Sequence, residues 1–466
     1  MAVQHSSAIT TAWSRLRESA YGTPRASGDD YRRLISETRN VVNDELSFGN
    51  DGGYETGVDI PTEYWGETAN TSFDANPKFN FQDIGYMLDM ALGGYAVSGP
   101  DGGLYTHTFT PQDMSVSRQM PSRTGLKDQG PLLMLPSLVS TAFSIVFGKM
   151  GRISTSMSLT GNGDINEDPG GYAMPALTAG GTREYGYASQ ASGISLSVAG
   201  TGTRQKITAT GVGTTSGAGD AAITVTAAGL TGSPIVLAVA VGAEAPSVWV
   251  PKIRTALRAN SVIAQFFDVT GSGANIVMEA RNKAANDATM NLAIATGTAT
   301  GITAAPTATQ TTAGVAGTSE AFGCLIEEGS LNLNTPSADD GYRICSSYLD
   351  PANPMSGQLR AEFLAGIREM NFSFTARDNG TSNLRTWMRE QTDLELHLPI
   401  IGTEANDYSL RISHLRCRVI SQQGTTSAGG DFIGKSGTLA LLGSAAGDGT
   451  IPLTATLVNN VASYAS

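Results

Sequence analysis

Two rhythms of hydrophobic and polar positions run along this chain. In both flanks the dominant period is two. TSFDANPKFNF, LYTHTFTP, STAFSIVFG and ISTSMSLTG alternate in the first flank, and MNFSFTARDNG, LELHLPI, YSLRISHLRCRVIS and TIPLTATLVNN in the second. Such alternation predicts strands with one buried face. Each flank breaks the pattern once. Phe81, Ile84, Leu88 and Leu92 fall at helical spacing before Gly93-Gly94, where glycine accepts the left-handed conformation that ends a helix. Leu384, Trp387 and Met388 predict a second short helix over 382–391. Each flank therefore predicts strand, helix, strand, strand, strand, which implies duplication of one fold. In the longest strand, Leu410, Ile412, His414, Arg416 and Val419 do not all share a face, so a bulge is expected.

Between the flanks, 195–316 is built almost wholly of Ala, Gly, Thr, Val and Ile. All 14 tyrosines lie outside it, and only Trp249, Phe266 and Phe267 supply rings. Its borders, GTGTRQ and TATQTTAGVAGTSE, read as flexible connectors. Inside, AAITVTAAGL and SPIVLAVAV predict strands. Val248, Trp249, Ile253 and Leu257 follow at helical spacing, and Pro251 places the helix start near Val250. IAQFFDVTGSG and ANIVMEARN predict two further strands around a glycine turn. The expected fold class is mainly β: two β-sandwich or barrel folds, each with one short helix, plus a small inserted α+β unit of ββαββ type. The expected domains are an N-terminal arm (1–50), a first half (51–194), the insert (195–316) and a second half (317–466).

Composition narrows the function. At 466 residues the length suits about three folded units. Charged residues are 15% and the net charge is −12, which disfavours a nucleic-acid binder that neutralises phosphates. The acidity is uneven. The insert holds seven basic and five acidic residues, net +2, so the flanks carry −14. Cys324, Cys345 and Cys417 are too few for a disulfide framework and form no metal-type spacing. The longest clean apolar run, Ile235 to Val241, is too short to span a membrane, and no apolar signal region is visible near Met1.

Candidate chemistry is sparse. His107, His397 and His414 lie in predicted strands and His5 near the start, without a paired nucleophile. Asp164, Asn166 and Asp168 alternate like the start of a calcium loop, but Pro169 and Pro175 stand where glycine and the bidentate glutamate belong. Asp339-Asp340 and Glu327-Glu328 read as solvated acids, since a glycosidase cleft would need flanking aromatic residues. The cysteines read best as reduced, buried or half-exposed small hydrophobes, although Cys417, between Arg416 and Arg418 and near His414, is in a setting that could lower a thiol pKa. No catalytic, cofactor-binding or metal residue is assigned, and no cofactor is expected.

The order of these segments carries a resemblance. WGETANTSFDANPKFNFQDIGYMLDMALGG resembles the siphophage tail tube segment in which paired strands lead into a helix and a glycine stop. STAFSIVFGKMGRISTSMSLTGNGD is similar to the strand pair that follows it. GCLIEEGSLNLNTP, IREMNFSFTARDN, LRTWMREQTDLELHLPI and YSLRISHLRCRVIS continue the layout, and 207–315 resembles a Gly/Ala/Thr-rich module of phage virion proteins. The resemblance implies a structural virion protein rather than an enzyme. Its subunits would form stacked rings around a lumen for DNA, with three copies as a pseudo-hexamer favoured over six. It implies partners in the tape-measure protein and the tail terminator and tip proteins, assembly in the host cytoplasm, a place in the virion tail and no membrane anchor. The insert would project outward, so that removing 195–316 spares assembly. The alternative is a bacterial surface adhesin or carbohydrate-binding β-domain protein; a secreted polysaccharide-degrading enzyme and another virion part are further options.

Overall fold

The computed structural model describes residues 10–21, 23–26, 31–35, 43–50, 64–114, 116–128, 131–148, 151–176, 182–191, 193–321, 326–337, 362–377, 383–402, 406–426, 433–446 and 451–465. The predicted Asp-Asn-Gly turn at 378–380 lies outside them. Strands in chain order are β1 (Thr10–Ser14), β2 (Tyr31–Ile35), β3 (Asn43–Asn50) and β4 (Tyr64–Ala75). Helix α1 (Ile84–Leu92) precedes β5 (Gly93–Asp101), β6 (Leu104–Pro111), β7 (Arg123–Asp128), β8 (Leu132–Phe147), β9 (Ser154–Gly161) and β10 (Asn166–Glu167). Next come β11 (Ser195–Val198), β12 (Arg204–Thr210), β13 (Gly219–Thr226), β14 (Ile235–Val241), α2 (Pro246–Ala259), α3 (Ser261–Phe266) and β15 (Phe267–Thr270). They are followed by β16 (Asn275–Lys283), β17 (Asn291–Ala295), β18 (Thr309–Thr312), β19 (Ser319–Ala321), β20 (Ile326–Asn334) and β21 (Glu369–Arg377). Helix α4 (Leu384–Arg389) leads to β22 (Leu394–Ile401), β23 (Ser409–Thr426), β24 (Ile433–Leu441) and β25 (Leu453–Asn459). The chain is mainly β and its strand pairing is antiparallel.

One pairing scheme occurs twice. In the first half β3 pairs β4, β4 pairs β9, and β9 pairs the C-terminal part of β8. The N-terminal part of β8 then pairs β7 and β10, β7 pairs β1, and β1 pairs β2. In the second half β20 pairs β21, β21 pairs β24, and β24 pairs the C-terminal part of β23. The N-terminal part of β23 pairs β22 and β25, β22 pairs β11, and β11 pairs β19. The register agrees in detail. Ser140 faces Leu159 and Ala142 faces Ser158 across a one-residue bulge; Val419 faces Leu439 and Ser421 faces Thr438 across the same bulge. The irregularity that the mixed alternation of β23 predicted lies earlier, between His414 and Cys417, where β23 gains a residue against Leu396 and Leu394 of β22.

The long strands β8 and β23 each bend and serve two layers. In β8 the bend falls at Pro136-Ser137, where proline withholds an N–H and Ser137 has φ 54°. The first layer is an eight-stranded run, β3-β4-β9-β8-β20-β21-β24-β23, in which the β8–β20 pairing joins the two repeats. The second contains β5-β6-β25-β23-β22-β11-β19. The main core between them joins Phe143, Ile145, Leu331 and Phe372 from the first layer to Leu396, Leu398, Leu410 and Leu457 from the second. Helix α1 is buried on every side rather than along one stripe. Its Asp89 is accommodated because Arg17 pairs with it and Arg123 Nη2 lies 2.5 Å away. Gly93, at φ 87°, ends the helix, and its N–H bonds to the Asp89 carbonyl.

The insert has its own core, formed by Ile223, Trp249, Ile253, Leu257, Met278 and Leu292 among others. It differs from the ββαββ expectation. Its strands form two sheets, β15-β16-β12-β18 and β14-β13-β17. Helix α2 starts at Pro246, four residues before the expected Val250, and carries Pro251 inside it, past the N–H groups that lack intrahelical acceptors, so one helix bond is forgone there. IAQFF was expected as strand but is helical through Phe266, because Asn260 caps α3 by accepting from the Val262 and Ile263 N–H groups. The sequence boundary at Ser195 also moves. Ser195–Val198 is β11, paired with β22 and β19 in the second layer, so the insert leaves the body from within a hairpin.

Candidate functional site

The register of the first layer sets the chemistry of its outer face. One row across the sheet reads Ser421, Thr438, Ser373, Ser330, Val146 and Ser154. The next carries Asn371, Asn332, Ser144 and Ser156. Period two sends Phe372, Leu331, Ile145 and Met157 the other way, into the core. The outer side chains satisfy one another in cross-strand pairs. Asn332 Nδ2 donates to Asn371 Oδ1 at 2.9 Å, Ser144 and Ser156 hydroxyls lie 2.6 Å apart, and Ser330 and Ser373 hydroxyls 3.2 Å apart. The first row contains no charged side chain; the second runs on through Ala440 to Arg418, and the flanking rows carry Glu328 on one side and Asp74 and Glu369 on the other. The result is a surface of mostly hydroxyl and amide groups that crosses both repeats, with its charges toward the margins.

This layer ends in two strands with open sides. β3 pairs only β4, and the C-terminal part of β23 pairs only β24 among the described residues. The duplication relates these ends. β3 is the counterpart of β20, and the end of β23 is the counterpart of the end of β8. Within the chain β20 already pairs β8, with Asn332 opposite Ser144. Carried through the repeat, this register puts Asn43 of one copy opposite Gln423 of another.

The outer face of the second layer is covered by the insert, and its chemistry is the reverse. Asp407 is 2.6 Å from Arg254 Nη2 and 2.9 Å from Arg258 Nη1, all three buried. Asp268 holds Arg281 at 3.0 Å and approaches His397 at 3.5 Å. Glu279 takes Arg411 at 2.9 Å and Lys206 at 3.3 Å, and Lys283 reaches Glu395 at 2.7 Å. Burial pushes both carboxyls up, but Arg411 and Lys206 at Glu279, and the His397 hydrogen bond with Arg281 at Asp268, hold them below the usual carboxylate range. The borders expected to be flexible are tied down: Thr203 and Val315 exchange backbone hydrogen bonds, and Lys283 Nζ donates to the Thr201 carbonyl at 2.8 Å. The sequence reading missed this interface. Its one available signal was the basic surplus of a module otherwise nearly free of charge.

The residues singled out in the sequence do not converge. His107 is buried between the Tyr95 hydroxyl (2.9 Å) and Asn459 Oδ1 (3.1 Å), and desolvation lowers its pKa to about 4. His414 is buried with Nδ1 accepting from the Arg416 N–H, its pKa also lowered to about 4. His397 is buried at the insert interface. Cys417 is the buried small hydrophobe expected, and the lowered pKa its neighbours could have given it is absent. The thiol is buried, donates to the Leu394 carbonyl and is pushed up to about 12 by desolvation and the charges of Glu395 and Asp393. Arg416 and Arg418 instead grip Asp393. In the acidic loop, Asn166 and Glu167 pair with Met134 and Leu133, and the Asp168 carboxylate accepts from the Leu132 N–H. Glu327 pairs with Arg377 at 3.2 Å, while Glu328 is exposed beyond a bulge. His5, Cys324, Cys345 and Asp339-Asp340 lie outside the described residues. Among the described residues no group of three His, Cys, Asp or Glu side chains gathers where it could hold a metal, and no helix is long and apolar enough to cross a membrane. No family model matches the chain, and no curated protein matches it.

Proposed function

We propose that the chain is the subunit of a phage tail tube, assembling into stacked rings through which DNA passes. The observation that carries this reading is the β8–β20 junction together with the two open edges. A subunit that already joins two repeats edge to edge can join the next copy by the same pairing. Three copies then present six repeats around one continuous sheet, and the edges disappear into the ring, which removes their hazard. The hydroxyl and amide face becomes the lumen. It hydrates a passing polyanion without releasing its counterions, so DNA slides and is not held. The insert then lies outside, because it covers the second layer, on the other side of the core from that face. Within the tube the tape-measure protein would occupy the lumen before DNA, and terminator and tip proteins would close the ends.

The test follows from the register. In an Asn43→Cys/Gln423→Cys variant with Cys324 and Cys345 changed to serine, oxidation of assembled protein should give covalent trimers on a non-reducing gel. The two positions of one copy stand about 34 Å apart across seven strand spacings, so a disulfide must join different copies. Monomers alone, from assemblies visible as rings, would defeat the proposed pairing; particles that stay monomeric and bind glycans would favour the adhesin.

A further inference from the structure

Two aliphatic side chains are the most exposed large hydrophobics of the described residues: Ile367 at 86% and Val116 at 83%. They belong to two segments that brace each other. The Met120 N–H donates to the Phe363 carbonyl at 2.9 Å, the Ala365 N–H to the Arg118 carbonyl at 2.7 Å, and Gln119 bridges Leu364. Beneath them Phe363, Ala365, Met120, Tyr21 and Val139 form a separate buried cluster. The exposed pair thus flanks a backbone brace between the two segments, which reduces the ordering that docking would require.

This pair marks one end of the first layer. Ile367 precedes Glu369, which faces Asn334, which faces Ala142. At the other end, beyond Phe147, the segment 185–188 lies against Arg152 and Ile153 and carries a second exposed patch. Tyr187 is 41% exposed and bridges Arg152. The Arg152 guanidinium lies 4.3 Å over the Tyr185 ring. This patch is also braced, with the Ile153 N–H on the Gly186 carbonyl and the Ala188 N–H on the Gly151 carbonyl, both at 2.9 Å. The ends are separated by roughly 20 Å along β8 at ~3.3 Å per residue.

We propose that the Val116–Ile367 end of one copy seats on the Tyr185–Tyr187 end of a second copy, head to tail along the strand direction. Both surfaces belong to this chain and lie at opposite ends of one sheet, so a shift along the strands brings them together. Aliphatic groups against an aromatic patch bury area on both partners, while the Arg152 guanidinium keeps its place over the Tyr185 ring. A head-to-tail contact is heterologous and does not close on itself, so it generates a filament. The contact rests on the tube reading and supplies its ring-on-ring step.

The test uses the full chain with Cys324 and Cys345 changed to serine. Ile367→Cys and Tyr187→Cys proteins, mixed during assembly and oxidised, should give a cross-linked dimer that neither gives alone. Dimers from Ile367→Cys alone would mean head-to-head contact and overturn the proposal, as would stacks that form without cross-linking in the mixture. A Val116→Asp/Ile367→Asp variant, checked for an unchanged melting profile, should keep ring-sized particles in light scattering and lose at least tenfold in stacks counted by electron microscopy. Stacks of unchanged number and length would overturn it. If the unaltered chain makes no rings, the tube reading itself fails and this contact falls with it.

Discussion

The two repeats share a pairing scheme but meet its hardest point with different chemistry. Each long strand must bend where it passes from one layer to the other. Counting back three residues from the matched positions Ser140 and Val419, the amides of Ser137 and Arg416 occupy the same place in the two bends. Both find a side-chain acceptor. The Ser137 N–H donates to Glu18 Oε1 at 2.7 Å, whereas the Arg416 N–H donates to His414 Nδ1 at 3.2 Å. Glu18 also takes the Ser137, Ser122 and Thr124 hydroxyls, and these bonds oppose the upward shift that burial gives its carboxyl. A bent strand strands a backbone donor, and either an anion or a neutral imidazole can satisfy it. The repeats also differ in what has been added. The first carries the β5–β6 hairpin after its helix; the second carries the insert between β11 and β19. The additions meet, with Ser272 Oγ donating to Asp101 Oδ2 at 2.5 Å.

The largest effect should come from separating that second addition. Asp407→Ala leaves Arg254 and Arg258 buried beside the body without their counter-charge, and breaking such a pair from one side costs about 3–5 kcal/mol. Calorimetry should resolve a second, earlier transition for the insert, and proteolysis should begin at the Thr201–Thr203 border. A single transition at the original temperature would show that the buried pairs do not hold the insert. The companion deletion must spare β11. The Val198 N–H donates to the Thr318 carbonyl at 2.8 Å, so replacing 199–317 by an Asn-Gly turn closes the hairpin. Cutting at Ser195 instead removes a strand of the second layer.

Next in size are the two bends. Glu18→Ala deprives the Ser137 amide and three hydroxyls of their acceptor, a loss of about 2–3 kcal/mol at pH 7, read as a shift in the urea midpoint. His414→Asn puts a carboxamide oxygen near the Nδ1 position and should be nearly neutral at pH 7. The two bends then part company in acid. His414 has a folded pKa near 4 against 6.5 unfolded, so between these values the unfolded chain binds more protons. Stability is therefore lost as pH falls from 6.5 toward 4, by about 2 kcal/mol at pH 5. His414→Asn should remove that part of the acid loss. An acid limb as steep as the original would place the imidazole outside the bend's energetics.

Why the sequence yielded the repeats but not their junctions follows from the range of the interactions. Period two in MNFSFTAR and ISTSMSLTG reports a local fact, one face in and one out, and the strands lie there. Helix α1 was found from Ile84, Leu88 and Leu92, although its far side, with Asp89, is buried by Arg17 and Arg123 from distant segments. Nothing near Asp89 announces those partners. Likewise β11 is four residues whose pairing depends on β22, some 200 positions on, and Asp407 acquires its meaning only from α2. The lowering that Arg416 and Arg418 could have given the Cys417 thiol is absent for the same reason. Neighbours in sequence alternate across a strand, so Arg416 and Arg418 point away from the thiol that lies between them.

The smallest effect on the fold should appear on the hydroxyl face, and that is what makes it informative. Asn332 loses one cross-strand bond in Asn332→Ala, and partly exposed substitutions of this kind stay within about 0.5 kcal/mol. The same holds for Ser330→Lys and Ser373→Lys, since a half-exposed lysine extends its ammonium into water. The face can therefore be recharged without disturbing the repeats beneath it. If it lines a DNA channel, the pair of lysines adds two cations per copy around the duplex and recovers counterion release at each. Melting temperature and ring formation should be unchanged, while ejection from particles carrying the variant slows, and slows less as salt is raised. Equal rates at low and high salt would mean that DNA never meets this face, and the comparison between its bare hydroxyls and the ion-paired face under the insert would need another explanation.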